Sequence, residues 1–129
     1  LSMILCVGEK IEERKTGKLG EVLARQMDAG LAKVGPEVDP QTLVVAYEPV
    51  WAIGTGLTAG PADIAEAHGL VREMLISRYG EKAKEIRILY GGSVKPANCG
   101  EIIGIDNVDG VLVGGASLQA ESFAAIALA

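Results

Sequence analysis

An α/β fold built on a parallel sheet is what the sequence predicts, and three observations carry that reading. Four short apolar runs, near residues 3–7, 43–47, 86–90 and 109–113, are rich in Val, Ile and Leu. Stretches with helical spacing separate them, and Gly or Pro falls at the junctions. Short continuous apolar runs read as strands buried on both faces, as in a parallel sheet. Strand followed by helix, repeated four times, gives α/β architecture.

The elements follow in order. Met3 to Val7 is the first strand, and Cys6 inside it reads as a small buried thiol. Leu19, Val22, Leu23, Met27, Leu31 and Val34 share one helical face. Gly35-Pro36 is expected to stop that helix. Leu43-Val44-Val45-Ala46 opens the second strand. A second helix starts at Pro61, with Asp63 near its positive dipole end, and stops at Gly80. It buries Ile64, His68, Val71 and Leu75. His68, the one histidine, lies on that apolar face and reads as core packing or a surface hydrogen bond, not catalysis. A third strand near 86–90, a short helix after Pro96, a fourth strand near 109–113 and a last helix from about Gln119 complete the order. Residues 1–129 read as a single domain, with no linker or low-complexity tract.

Composition excludes some functions. A hydrophobic content of 49% suffices for a core, and no apolar run reaches the ~18 residues of a membrane span. The formal net charge of −5 argues against a nucleic-acid surface. The two cysteines, Cys6 and Cys99, are far apart and do not read as a disulfide framework, so a reducing, cytoplasmic setting is expected. No signal-like start is visible. Leu1-Ser2-Met3-Ile4 runs directly into a strand, which reads as part of something longer or a processed product. Four parallel strands leave two unpaired edges, so association is expected.

The most informative segment is Tyr47-Glu48-Pro49-Val50-Trp51-Ala52-Ile53-Gly54-Thr55-Gly56. It places a carboxylate, Glu48, where a strand ends. The loop beside it is stiffened by Pro49 and freed by Gly54 and Gly56. A general base under a closing, water-excluding lid would be built this way. Gly91-Gly92-Ser93 and Gly114-Gly115 each follow a strand and precede a short helix. Glycine lets backbone N–H groups approach an anion, and helix N-termini add positive potential. Glu9, the other strand-end carboxylate, reads as a charged loop residue paired with a cation such as Arg14, and Lys95 as a solvated side chain before Pro96.

These segments resemble the triose-phosphate isomerase family. Ala46 to Gly56 is similar to its catalytic strand and lid. Leu5-Cys6-Val7-Gly8-Glu9 is similar to its fifth strand end, Leu89-Tyr90-Gly91-Gly92-Ser93-Val94 to its seventh strand and phosphate loop, and residues 109–118 to its eighth. The resemblance implies a (β/α)8 barrel of about 250 residues, of which this chain would supply the C-terminal half, four βα units. It implies that Glu48 moves the proton that interconverts dihydroxyacetone phosphate and glyceraldehyde 3-phosphate, without metal or organic cofactor. It implies a lid over 49–59 and a substrate phosphate held by Gly54, Ser93, Gly114 and Gly115. Leu57-Thr58-Ala59 departs from the family's usual Lys-led hinge, and Gly60 from its capping Thr or Ser, which bears on closing rate.

The family also needs an Asn, a Lys and a His from its first half, and nothing in this chain matches them. The chain alone is therefore expected to be inactive. Three readings stay open: part of an isomerase whose partner is the missing N-terminal half-barrel; a half-barrel that pairs with a second copy of itself; and another phosphate-binding barrel enzyme sharing only the glycine loops. The last is disfavoured by Glu48 beside its lid.

Overall fold

A computed structural model describes residues 1–55 and 57–129. Gly56, placed by the sequence in the lid, lies outside the described residues. Among the described residues, four strands, β1 (Met3–Val7), β2 (Leu43–Tyr47), β3 (Arg87–Tyr90) and β4 (Gly110–Val111), form one parallel sheet in the order β1-β2-β3-β4. The register runs Val7 opposite Tyr47, Tyr47 opposite Tyr90, and Tyr90 opposite Val111. Those pairs align the C-terminal ends of the strands, so the loops leaving them share one rim.

Among the described residues, five α-helices connect and cover the sheet: α1 (Ile11–Lys15), α2 (Leu19–Gly30), α3 (Pro61–Tyr79), α4 (Pro96–Ile103) and α5 (Ala120–Ala127). The boundaries of α3 are those its sequence signals. Pro61 occupies the first turn, and Gly80 at φ 72° ends it in a conformation that costs an L-residue with a Cβ. The helix α2 stops at Gly30, short of the expected Gly35-Pro36, and residues 31–33 form a turn. Gly30 lies tight on β1: a Cβ there would come 2.6 Å from Leu5 Cδ1. Close approach to the strand, and the poor helix propensity of glycine, set that end. The short α1 is an element that the sequence reading did not resolve.

The core lies between one face of the sheet and helices α2 and α3. Val45, Tyr47, Ile88 and Tyr90 meet Leu23, Met27, Ile64, Val71 and Leu75 there. Alternation along a strand sends Ile4, Cys6, Val44 and Leu89 to the other face. That face is uncovered at β1, where Ile4 is 56% exposed and Cys6 is exposed too. Two expectations are corrected here: β1 is not buried on both faces, and Cys6 is not a buried thiol. An apolar run records the residues' preference, not whether a second layer covers them.

Arg72 on α3 ties the sheet to its helices. It donates to the carbonyls of Ala83 and Ile86 at 2.7 and 2.6 Å and to Asp109 at 2.6 Å. The same Asp109 carboxylate accepts from Ile88 N–H at 2.9 Å, so β3 and the entrance to β4 share one anchor. His68 is fully buried, edge-on to the Tyr47 ring with centroids 5.7 Å apart. Its Nδ1 lies 2.9 Å from the Asn107 carbonyl. A carbonyl only accepts, so the proton sits on Nδ1. Nε2 has no partner among the described residues.

Burial lowers the His68 pKa below 6.5, partly offset by the Asn107 bond and Asp109 and reinforced by Arg72. The unfolded chain therefore binds more protons than the folded one in the window below 6.5. Stability should be complete above that pH and fall as pH drops through the window. Urea midpoints at pH 7 and pH 5 check this. His68→Phe should be less stable at pH 7, with the Asn107 carbonyl unpaired, but should lack that part of the slope. An unchanged slope in His68→Phe would assign it to other groups.

Candidate functional site

The site is assembled where β2, β3 and β4 end. β2 continues past its last strand residue when Glu48 N–H donates to the Val7 carbonyl at 2.7 Å. Gly91 N–H in turn reaches the Tyr47 carbonyl at 2.8 Å. Glu48 is thus held by its backbone between two neighbouring strand ends. Both neighbours there are glycines, for a steric reason. A Cβ at Gly8 would overlap the Glu48 carbonyl oxygen, and a Cβ at Gly91 would come 2.6 Å from Glu48 Cγ and 3.0 Å from Oε1. The Glu48 side chain is half-buried. It enters none of the ion pairs among the described residues. An acid locked to a cation makes a poor base, so its freedom matters.

A cavity of about 670 Å³ opens beside it, within the usual range for a small-molecule site. Glu48, Gly54, Ser93, Gly114 and Gly115 all line it. The structure therefore brings every sequence-predicted site residue to one concavity. Lys95, read from sequence as a solvated side chain, is exposed but lies on the same wall. It is the one cationic side chain among the described lining residues. Gly114 and Gly115 are exposed at the rim, and a 3₁₀ turn over Gly115–Leu118 leads away. On the other side, Tyr90 is buried beneath the glycine loop. Its hydroxyl occupies the space that a Cβ at Gly92 would need, and burial pushes its pKa up.

The segment after Glu48 starts as a 3₁₀ turn over Val50–Ala52. Ala52 N–H donates to the Pro49 carbonyl at 2.9 Å. Thr55 Oγ1 donates back to the Trp51 carbonyl at 2.6 Å. Gly54 takes φ 66°, the left-handed region that its lack of Cβ makes cheap. The apolar side chains of this loop are unevenly covered. Trp51 is half-buried, whereas Val50 and Ile53 are each 48% exposed and Leu57 is 54% exposed. The loop thus presents uncovered apolar surface beside the cavity.

Sequence spacing missed how deeply Glu9 is placed. It pairs with Arg14, as expected, but as a fully buried carboxylate rather than a solvated loop charge. Arg14 Nε donates to it at 2.8 Å and the Tyr47 hydroxyl at 2.9 Å. Burial, reinforced by the Glu9 charge and opposed by Arg14, pushes the Tyr47 pKa up, so the phenol stays a donor. Only Arg14 is near Glu9 in the chain, which is why the cluster was not legible. Cys6 sits on the open face, yet the partial desolvation it keeps there, and then the Glu48 charge, push its thiol up. Among the described residues no group of three or more His, Cys, Asp or Glu side chains converges as a metal site would.

A family model described as "Triosephosphate isomerase" matches residues 1–129. A protein of that name from Nitratidesulfovibrio vulgaris, strain DSM 19637 / Miyazaki F, is 64% identical over 129 residues, covering 100% of this chain and 51% of the relative. One from Oleidesulfovibrio alaskensis is 57% identical, covering 100% and 52%. The chain therefore spans about half the length of the relatives it matches. A crystal structure of triosephosphate isomerase from Bartonella henselae superposes with a TM-score of 0.88 at 42% identity, over 98% of this chain and 50% of that one.

Proposed function

The chain belongs to the triosephosphate isomerase family, and from that membership we propose that it forms one domain supplying the fifth to eighth βα units, the C-terminal half of the barrel. Phosphate sites in such barrels recur in the loops after the last two strands. Gly91, Gly92, Gly114 and Gly115, which line the cavity, follow β3 and β4, while Gly54 joins them from the loop after β2. Glu48 is the base that takes a proton from the carbon beside the carbonyl of dihydroxyacetone phosphate. It returns that proton to the neighbouring carbon, giving glyceraldehyde 3-phosphate. Backbone at Gly54, Ser93, Gly114 and Gly115 grips the phosphate, and residues 49–59 close over it. The chemistry calls for no metal or organic cofactor. One observation carries the reading: the carboxylate and both glycine loops face the same cavity.

The chain alone is inactive on this reading. A base without an electrophile leaves the developing enediolate unsupported, and such electrostatic support is often the largest share of catalysis. His68 cannot stand in, since it is buried among core aromatics. The partner is the N-terminal half-barrel. The free sides of β1 and β4, the uncovered Ile4, and the exposed Leu118, Phe123 and Leu128 give it a surface to cover. A second copy of the chain is the alternative, because two four-stranded halves also close eight strands. A cytoplasmic setting suits two free thiols, and no helix among the described residues is long and apolar enough to cross a membrane.

An isomerase assay tests this. The 129-residue chain alone should show no turnover above background. Mixing it with the N-terminal half of the Nitratidesulfovibrio vulgaris relative should restore turnover. Activity of the chain alone, or restoration only by the relative's other half, would sink the assignment. Sizing of the chain without its complement separates the two partners.

A further inference from the structure

We infer that Arg14 is a positioning residue that yokes the two ends of the 49–59 loop to each other. The inference deepens the lid assigned above and rests on it. At the near end, Val50 N–H donates to the Glu9 carbonyl at 3.1 Å. The Glu9 side chain accepts from Arg14 Nε at 2.8 Å. At the far end, Gly60 N–H donates to Asp63 Oδ2 at 3.1 Å. The other oxygen of that carboxylate, Oδ1, accepts from Arg14 Nη1 at 3.2 Å. One guanidinium therefore holds one carboxylate per hinge, and each carboxylate-bearing residue holds a hinge amide. The path joins residue 50 to residue 60 without passing through the loop.

The chemistry of the fork explains why this position carries Arg. A planar guanidinium presents donors in fixed directions and bridges two carboxylates at once, whereas an ammonium is a point charge on a flexible stem. Arg14 also lies over the Trp51 ring, 5.6 Å from its centroid, at favourable cation–π distance. The Trp51 Nε1 is buried without a hydrogen-bond partner among the described residues. The indole is thus held by packing and by the cation rather than by a bond of its own. Asp63, at the third position of α3, supplies the half of a capping box that needs no side chain at Gly60, accepting the Gly60 N–H. A charge at the start of α3 thereby becomes part of the hinge. Glu66 Oε2, 3.7 Å from Nη1, adds a weaker and more exposed contact on the same side.

Amide hydrogen exchange on the 129-residue chain tests the yoke, with emission of its single tryptophan as a second readout. Arg14→Lys keeps the charge and loses the fork. It should speed exchange at both Val50 and Gly60 by about fivefold or more, the low end of usual site-to-site coupling, and shift Trp51 emission. Asp63→Asn keeps an acceptor for Gly60 N–H but removes the anion at the far end. It should still speed exchange at Val50 and move Trp51 emission, across the loop from the change. Exchange at Val45 in β2 should stay unchanged in both variants, showing that the fold persists. Should Arg14→Lys fail to fold, Asp63→Asn, on a partly exposed side chain, carries the test alone. Effects confined to Gly60 in Asp63→Asn would overturn the yoke. Titration with inorganic phosphate separates the underlying reading: no response of the Gly54 amide would sink the phosphate grip, while the exchange coupling still decides the yoke.

Discussion

Glu48→Gln is expected to lower kcat by about 10²–10⁴-fold in a barrel completed by the N-terminal half of the Nitratidesulfovibrio vulgaris relative, with KM little changed. Glutamine keeps the size and a polar end but cannot take the proton. The substitution should not disturb the site, because the position of Glu48 owes nothing to its carboxylate. Its amide is held by Val7, and its stem packs against Gly91. On the proposed reading the phosphate is held by backbone at Gly54, further along the same loop, and by the loops after β3 and β4, so binding of inorganic phosphate, read by the Gly54 and Ser93 amides, should survive. Loss of phosphate binding along with turnover would mean that the variant disordered the rim. Full turnover in pure Glu48→Gln protein would remove the base from the mechanism.

Where local chemistry decides the outcome, the sequence was legible. The span of α3 follows from Pro61 and Gly80, which act within one turn of themselves. β2 and the two glycine loops are likewise announced by residues adjacent in the chain. The sites converge because a parallel sheet must bring its strand ends to one rim, and that needs only the strand order. What escaped depends on distant partners. Glu9 is a charge that a spacing rule leaves in water, yet Tyr47, 38 positions away, supplies the second donor that makes its burial affordable. Asp63 joins the same cluster from 49 positions beyond Arg14. Cys6 shows the reverse error: its strand looks doubly buried, but a covering layer is a property of the assembly. The early end of α2 depended on the approach of Leu5 to Gly30, a contact between elements that the glycine alone does not announce.

Gly8→Ala is expected to cost about 3 kcal/mol or more of stability, at or above the upper end of ordinary overpacking. The added methyl would meet the Glu48 carbonyl oxygen and lie 3.3 Å from Pro49 N, and both are backbone. A side chain can rotate out of such a clash; a peptide unit flanked by a proline cannot. The strand end is also fixed from behind. Gly8 N–H donates to Gln26 Oε1 at 2.8 Å, and Gln26 Nε2 donates back to the Gly8 carbonyl at 3.1 Å. Relief of the clash must therefore break either that amide pair or the neighbouring bond from Glu48 N–H to Val7. Gly91→Ala makes the informative contrast. Its methyl would press on Glu48 Cγ and Oε1, atoms that can swing away. The fold should survive it, and the loss should appear in kcat of the completed barrel as the carboxylate leaves its place. Chemical denaturation and steady-state kinetics on the two variants read these outcomes separately. Equal stability losses in both would show that backbone and side-chain crowding are not distinguished at this site. A near-neutral Gly8→Ala would mean that β1 can slide against β2 without cost, and the strand-end geometry that places Glu48 would then not be fixed by Gly8.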